Sequence, residues 1–527
     1  MRITPGISEA AATRIATGAV TWRPVDITQI LTTDRIAMAA ANTWNVFRQR
    51  VINRTPDTIY KIRLVKVGTY RQVGANTVEY PLGNDYSVVA TVEPASPNGP
   101  AVQDQPRTVV MWRDTPSGTV VNSRRLESDD IDVIWPPGEA LYIRGADSVG
   151  VNGQFVPIST STLGLATGYG QNTGEGWVKD VANNNQIFEG GADIPVSNNN
   201  DGDGFLVVAP ATIRVPGFLG DSVVFGMGGS ALRGPRRGGY VVAAMEILNR
   251  PCLKLGLSSD TLQNLATLIG RPGRTLLFED VDDVYVSCGH NDVYAGRSLA
   301  SMKADVIAIS KAILLKGKGL VWGTVLPMPT SSDGYLTVQN QQKINGVKET
   351  SRIDLNAWKM DASANGMRAQ VLAALPPGVA AVARFGATID ICAPIECDIN
   401  GVLTVGGGYV LPSPGGILAT GTLTSVNDRY TVADNASGWA INQWKGKSIC
   451  FTSGPAIGKN MPLREVAAGG VMSSYDGVAD GIVPAVGNTY IVHDPHHWDA
   501  QHPGPKGYEI IGAHVAQRLA LFLDTGA

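Results

Sequence analysis

From about residue 205 onward, short apolar runs that read as strands alternate with stretches whose apolar residues recur at helical spacing, and this alternation restricts the fold more than any other feature. The strand-like runs cover 205–215, 275–279, 283–288 and 320–326, and the helix-like ones lie around 239–249 and 297–315. Strands that alternate with helices in this way build a parallel sheet with helices on its faces. Within 297–315, Leu299, Met302, Val306, Ile309 and Ile313 follow at steps of three and four, and Gly317 and Gly319 come after them as stop signals. One side of that helix is expected to lie on the sheet. A second stripe, Tyr508, Ile511, Val515, Leu519 and Phe522, marks a terminal helix entered through Pro503 and Pro505.

With 527 residues the chain exceeds what one hydrophobic core supports. Between about 43 and 144, short alternating apolar stretches are split by Gly, Pro, Asn and Asp, a spacing that predicts an antiparallel β-sandwich. The stretch 152–204 is poor in charge and rich in Asn, Gly and Ser, so it reads as a loop-rich connection. From Cys392 the pattern turns β-like again for roughly 100 residues. The expected division is therefore 1–204, a β-rich N-terminal part with its connection; 205–391, an α/β core; 392–490, a β-rich insertion; and 491–527, the return to the core.

A formal net charge of −3, with no Lys/Arg run interleaved with aromatics, gives no field to hold a phosphate backbone, so no nucleic-acid partner is expected. No apolar run reaches the roughly 18 residues a membrane helix needs, and 1–23 has no continuous apolar stretch of the secretory type. The setting expected is cytoplasmic or particle-associated, a phage virion being one such particle. Five cysteines in so long a chain are no disulfide scaffold and match no zinc spacing, so most read as small buried hydrophobes; a local bridge between Cys392 and Cys397 under oxidising conditions is the alternative.

Three segments carry chemistry. Gly217-Phe218-Leu219-Gly220-Asp221-Ser222 puts a serine after an apolar strand, at the sheet edge where open α/β sheets bind ligands, an ordinary Gly-Asp-Ser turn being its plain alternative. Ser287-Cys288-Gly289-His290-Asn291-Asp292 follows another strand, and the Asn291 amide there suits a developing oxyanion; an Asx turn is its structural alternative. Four of the six histidines fall within His493-Asp494-Pro495-His496-His497-Trp498-Asp499-Ala500-Gln501-His502. No HExxH-type spacing accompanies them, so no metal is expected. A turn that separates Asp499 from His502 by three residues lets the carboxylate accept from Nδ1 and leaves Nε2 as a base, whereas a helix-entry turn capped by Asp499 is the plain alternative.

The order of GDS, GHND and DAQHP along the chain resembles blocks I, III and V of the SGNH (GDSL-type) hydrolases, over about residues 205–390 and 491–527. The resemblance implies a flavodoxin-like three-layer α/β/α core with Ser222 as nucleophile, His502 as base and Asp499 as its orienter. It also implies an oxyanion hole made of the Ser222 N–H, the Asn291 side chain and one further backbone N–H. In Leu257-Ser258-Ser259-Asp260-Thr261, Ser259 stands where the family usually has glycine, a departure that matters if the position needs positive φ. The segment 48–67, together with Ser128-Asp129-Asp130 and Pro136-Pro137-Gly138, resembles the β-sandwich that precedes the core in some of these esterases.

The reaction expected is two-step acyl transfer without a cofactor, on an ester substrate, with an acetylated polysaccharide or glycoconjugate favoured. Asp221, His290 and Trp498 are candidate substrate contacts. Trp112, Trp135, Trp177, Trp439 and Trp444 join Trp498 as candidates for stacking on sugar rings, with core positions as the more usual place for them, and Arg236 and Arg237 are candidates for meeting an anionic group, with an ordinary solvated loop as the alternative. A lipid or small-ester hydrolase, and a non-catalytic glycan-binding or structural protein of a particle or surface, are the alternatives. Oligomeric state is not legible.

Overall fold

The computed structural model describes residues 21–29, 34–72, 78–158, 176–188, 193–194, 204–228, 238–268, 274–474 and 476–525. It is a mixed α/β architecture. Its central sheet is parallel throughout, in the order Ile27–Gln29, Cys252–Gly256, Pro216–Gly220, Asp283–Ser287, Gly319–Trp322. Bridges from Leu320 to Phe385 and from Gly323 to Ile389 extend it by one more parallel segment. Strand Pro216–Gly220 sits between the two strands that follow it in sequence, so the chain crosses first to one side and then to the other. Such a reversal opens a crevice at the carboxyl end of that strand, and Ser222 stands there.

Strand alternation assigns the two faces. Leu219, Leu253, Leu255, Val284, Val286, Leu320 and Trp322 enter a cluster with Met302, Val306, Ile309, Ile313 and Leu355, which come from helices Leu299–Leu315 and Gly346–Met360. Their neighbours Phe218, Cys252, Tyr285 and Val321 point the other way, against helices Gly239–Leu248 and Pro505–Thr525. The helix expected over 297–315 is capped by Ser298, whose side chain accepts from the Ser301 N–H, and buries Met302, Val306, Ile309 and Ile313. Pro505 is the first residue of the last helix, where its missing N–H removes no hydrogen bond.

Before this part lie two antiparallel sheets. One runs Trp22–Pro24, Leu206–Pro210, Ile59–Val67, Arg125–Glu127, and the other Gly118–Val120, Tyr86–Pro94, Ala140–Ser148, Trp44–Ile52, Gly176–Val181. They share an apolar cluster that includes Phe47, Leu64, Val88, Ile143 and Val207. Val65, Val67, Leu206 and Val208 leave that cluster on the opposite side and join the core under the parallel sheet. The segment 392–493 holds two further four-stranded antiparallel sheets around Ile449, Phe451, Met461, Val466, Met472 and Val492.

Two sequence expectations change. The run at 205–215 is not a strand of the parallel sheet: Leu206–Pro210 pairs antiparallel with Trp22–Pro24 and Ile59–Val67. The run at 275–279 is a 3-10 helix, Arg274–Asp280, which buries the adjacent Leu277 and Phe278 together where a strand would send them to opposite faces. All five cysteines are buried free thiols, as expected of small buried hydrophobes, and the alternative of a bridge between Cys392 and Cys397 is not taken up.

Candidate active site

Strand Pro216–Gly220 ends on Gly220, where a Cβ would overlap the carbonyl oxygen of Ser287 on the neighbouring strand, so the close approach requires glycine. Asp221 is extended and Ser222 opens the short helix Ser222–Phe225. One Asp221 oxygen caps that helix, accepting from the Val223 N–H at 3.0 Å. The other lies 3.0 Å from His290 Nδ1. His290 Nε2 accepts from the Leu326 N–H at 2.9 Å, so its single ring proton sits on Nδ1 and is donated to Asp221. Both residues, expected as substrate contacts, are only 0% and 1% exposed, and the structure puts them beneath the serine rather than at an accessible surface.

Strand Thr489–His493 leads into the loop that carries Asp499 and His502. His502 Nε2 lies 2.7 Å from Ser222 Oγ, and His502 Nδ1 lies 2.9 Å from each Asp499 oxygen. Asp499 Oδ1 also accepts from the N–H groups of Gln501 and His502, both at 2.7 Å, so the turn and the carboxylate–imidazole contact form together. Burial opposes charge on His502, yet the Asp499 carboxylate outweighs it and holds the imidazole above its ordinary pKa. Asp499 is likewise held below the usual carboxylate range, since His502 and the two N–H groups overcome its burial.

Asn291 lies in the short helix His290–Tyr294 after strand Asp283–Ser287, and its amide reaches away from its own turn to donate to the Asp260 carbonyl at 2.7 Å, joining that helix to the turn 257–261. That turn is braced by the buried Asp260 carboxylate, which accepts from Arg274 at 2.5 Å and from the Thr261 N–H at 3.0 Å. Ser259 is exposed and has φ of +62°, the conformation in which glycine is unstrained, so this position takes the departure from glycine with some backbone cost.

Trp498 stands beside the base candidate rather than on an open surface. It is buried, its indole N–H points to the carbonyls of Asn460 and Gly477, and its ring lies 5.7 Å from that of His502. Trp112 and Trp135 are buried, while Trp439 and Trp444 pack edge to face on each other. Arg236 and Arg237 lie outside the described residues. Sequence reasoning missed Lys359, a buried lysine whose Nζ reaches the carbonyl of Gly323 at 3.2 Å; burial pushes its pKa down to about 8. A single lysine late in a helix gives no sequence signal of that placement.

The histidine clustering has a structural cause. His493, His496 and His497 are buried where the loop meets the insertion, and burial holds His493 and His497 down to about 4. In the unfolded chain these rings take up protons near 6.5. The unfolded state therefore binds more protons between those values, so their stabilisation is complete above about pH 6.5, falls as pH drops toward 4, and changes no further below. Together they should withdraw on the order of a few kcal/mol across that window. Melting temperatures measured from pH 7 to pH 4.5 should fall more steeply for the wild type than for His493→Gln; identical slopes would rule out this origin.

No protein-family model and no curated protein matches this sequence. Solved structures do match parts of it. A member of the lipolytic protein G-D-S-L family from Veillonella parvula DSM 2008 is similar at 17% identity over 38% of this chain and 88% of that one, with a TM-score of 0.21. Axe2, an acetylxylan esterase from Geobacillus stearothermophilus, is similar at 17% over 31% and 82%, with a TM-score of 0.21. The acetyl xylan esterase AlAXEase is similar at 15% over 27% and 70%, also at 0.21. These likenesses are partial, spanning between 27% and 38% of this chain.

Proposed function

We propose that this chain is a serine hydrolase that cleaves carboxylic esters through an acyl-enzyme, with Ser222 as nucleophile, His502 as general base and Asp499 as the group that orients and charges the imidazole. The unbroken contact from Ser222 Oγ through His502 to Asp499, at 2.7 Å and 2.9 Å, carries this reading. Ser222 attacks the ester carbonyl while its proton passes to His502 Nε2; the alkoxide leaves with that proton, and water then resolves the acyl-enzyme by the same route. The fold that goes with it is a three-layer α/β/α core of the SGNH type, with the two N-terminal sheets as a β-sandwich and 392–490 as an insertion.

The Ser222 N–H, the Ser259 N–H and the Asn291 amide are proposed as oxyanion donors. Asn291 has its own test: Asn291→Ala should lower kcat by about 10²–10³-fold, and full activity in a folded variant would remove it from that role.

The substrate proposed is an O-acetyl ester of a polysaccharide or glycoconjugate. Ser222 and His502 are only 4% and 7% exposed, which favours a short acyl group. A p-nitrophenyl ester series from acetate to long chains, run beside acetate release from acetylated xylan, tests this. Turnover should fall with acyl length; a preference for long chains would select the lipid-hydrolase alternative.

A further inference from the structure

We propose that Asn460, in the β-rich insertion, is a positioning residue for His502; this rests on the esterase reading above. The Asn460 side chain is fully buried, on strand Asn460–Pro462. Its Nδ2 donates to the carbonyls of Gly334 and His497, both at 3.1 Å. Two carbonyl partners fix which end of the amide is nitrogen, so Oδ1 is the acceptor that faces His493 Nε2 at 2.8 Å, and that ring nitrogen carries the proton. The backbone carbonyl of the same residue accepts from the Trp498 indole at 3.2 Å.

One residue thus holds the loop at His493, His497 and Trp498, immediately before Asp499. The displacement of these points cannot stay local. The Trp498 N–H donates to the His502 carbonyl at 2.9 Å, and the Gly504 N–H to that of His496, also at 2.9 Å, so the loop closes on itself around the base. The side chain required must offer two N–H donors and one acceptor in a dry site, which asparagine does. Aspartate lacks both donors and alanine lacks all three groups, leaving buried polar atoms unpaired. The insertion is accordingly part of the catalytic apparatus, through a contact remote from the reacting atoms.

The experiment compares the purified full chain with Asn460→Ala and with Asn442→Ala on p-nitrophenyl acetate. Asn442 lies in the same insertion, accepts from the Val466 N–H at 3.3 Å and has φ of +59°, so its replacement burdens the insertion without touching the base loop. Asn460→Ala should lose about 10²-fold in kcat with KM within about twofold, the size of effect a shift near 1 Å in a reacting group produces. Asn442→Ala should keep wild-type kcat even where its melting temperature falls as far. The proposal is overturned if Asn460→Ala keeps kcat within about threefold, or if both variants lose kcat in step with their melting temperatures. A wild type inert both to esters and to a fluorophosphonate probe would instead sink the esterase reading and this one with it.

Discussion

Replacing Ser222 by alanine is expected to lower kcat on p-nitrophenyl acetate by about 10⁴-fold or more while leaving the fold and KM nearly unchanged. The change removes one oxygen. Alanine suits the first helical position of Ser222–Phe225, and the Asp221 cap on the Val223 N–H does not involve the lost hydroxyl. What disappears is the atom 2.7 Å from His502 Nε2, and with it the covalent intermediate. A fluorophosphonate should label the wild type at Ser222, read by peptide mass spectrometry, and leave the variant unlabelled. Retention of more than a few per cent of wild-type turnover by pure variant would mean that another group is the nucleophile.

Part of the parallel sheet was legible: helix Leu299–Leu315 and strands Asp283–Ser287 and Gly319–Trp322 answer to the runs at 297–315, 283–288 and 320–326, which need only neighbouring residues to be read, whereas strand Cys252–Gly256 was not read. Strand Leu206–Pro210 was misassigned for a physical reason. Val207 and Ala209 face the N-terminal sheets while Leu206 and Val208 face the core under the parallel sheet, so both sides are apolar and the run looks like a parallel strand buried on two faces. The edge strand Ile27–Gln29 pairs with Cys252–Lys254 across most of the intervening chain, a contact no local pattern announces.

At the site the same division holds. The Asp499-to-His502 spacing is local and could be read directly, and the serine was marked by a strand end that needs Gly220. Asp221 and His290 were singled out, but their pairing beneath the serine depends on the two strands being neighbours. Ser259 at positive φ is a case where the sequence posed the question and only the backbone answers it. Asn460 was invisible because a lone asparagine in a β-rich stretch reads as a turn residue.

Asp499→Asn should cost about 10³–10⁴-fold in kcat and also move the acid limb of the pH profile to lower pH. The amide oxygen can keep accepting from the Gln501 and His502 N–H groups, so the turn survives. The amide nitrogen then faces His502 Nδ1 and donates to it, which places the ring proton on Nε2, toward Ser222 Oγ. That tautomer cannot take the serine proton. The sign of the pH effect follows from the two opposing influences on His502. It acts as base only when neutral, so activity falls as pH drops through its pKa, which Asp499 holds above the ordinary value against burial. Without the Asp499 charge the largest influence that opposes burial is gone and only the smaller pull of the Asp221 and Asp476 carboxylates remains, so the protonated ring is less favoured and the limb shifts down. Profiles of kcat/KM from pH 5 to pH 9 for both proteins measure the shift; a limb that stays in place, or moves up, would show that Asp499 does not set the charge state of His502.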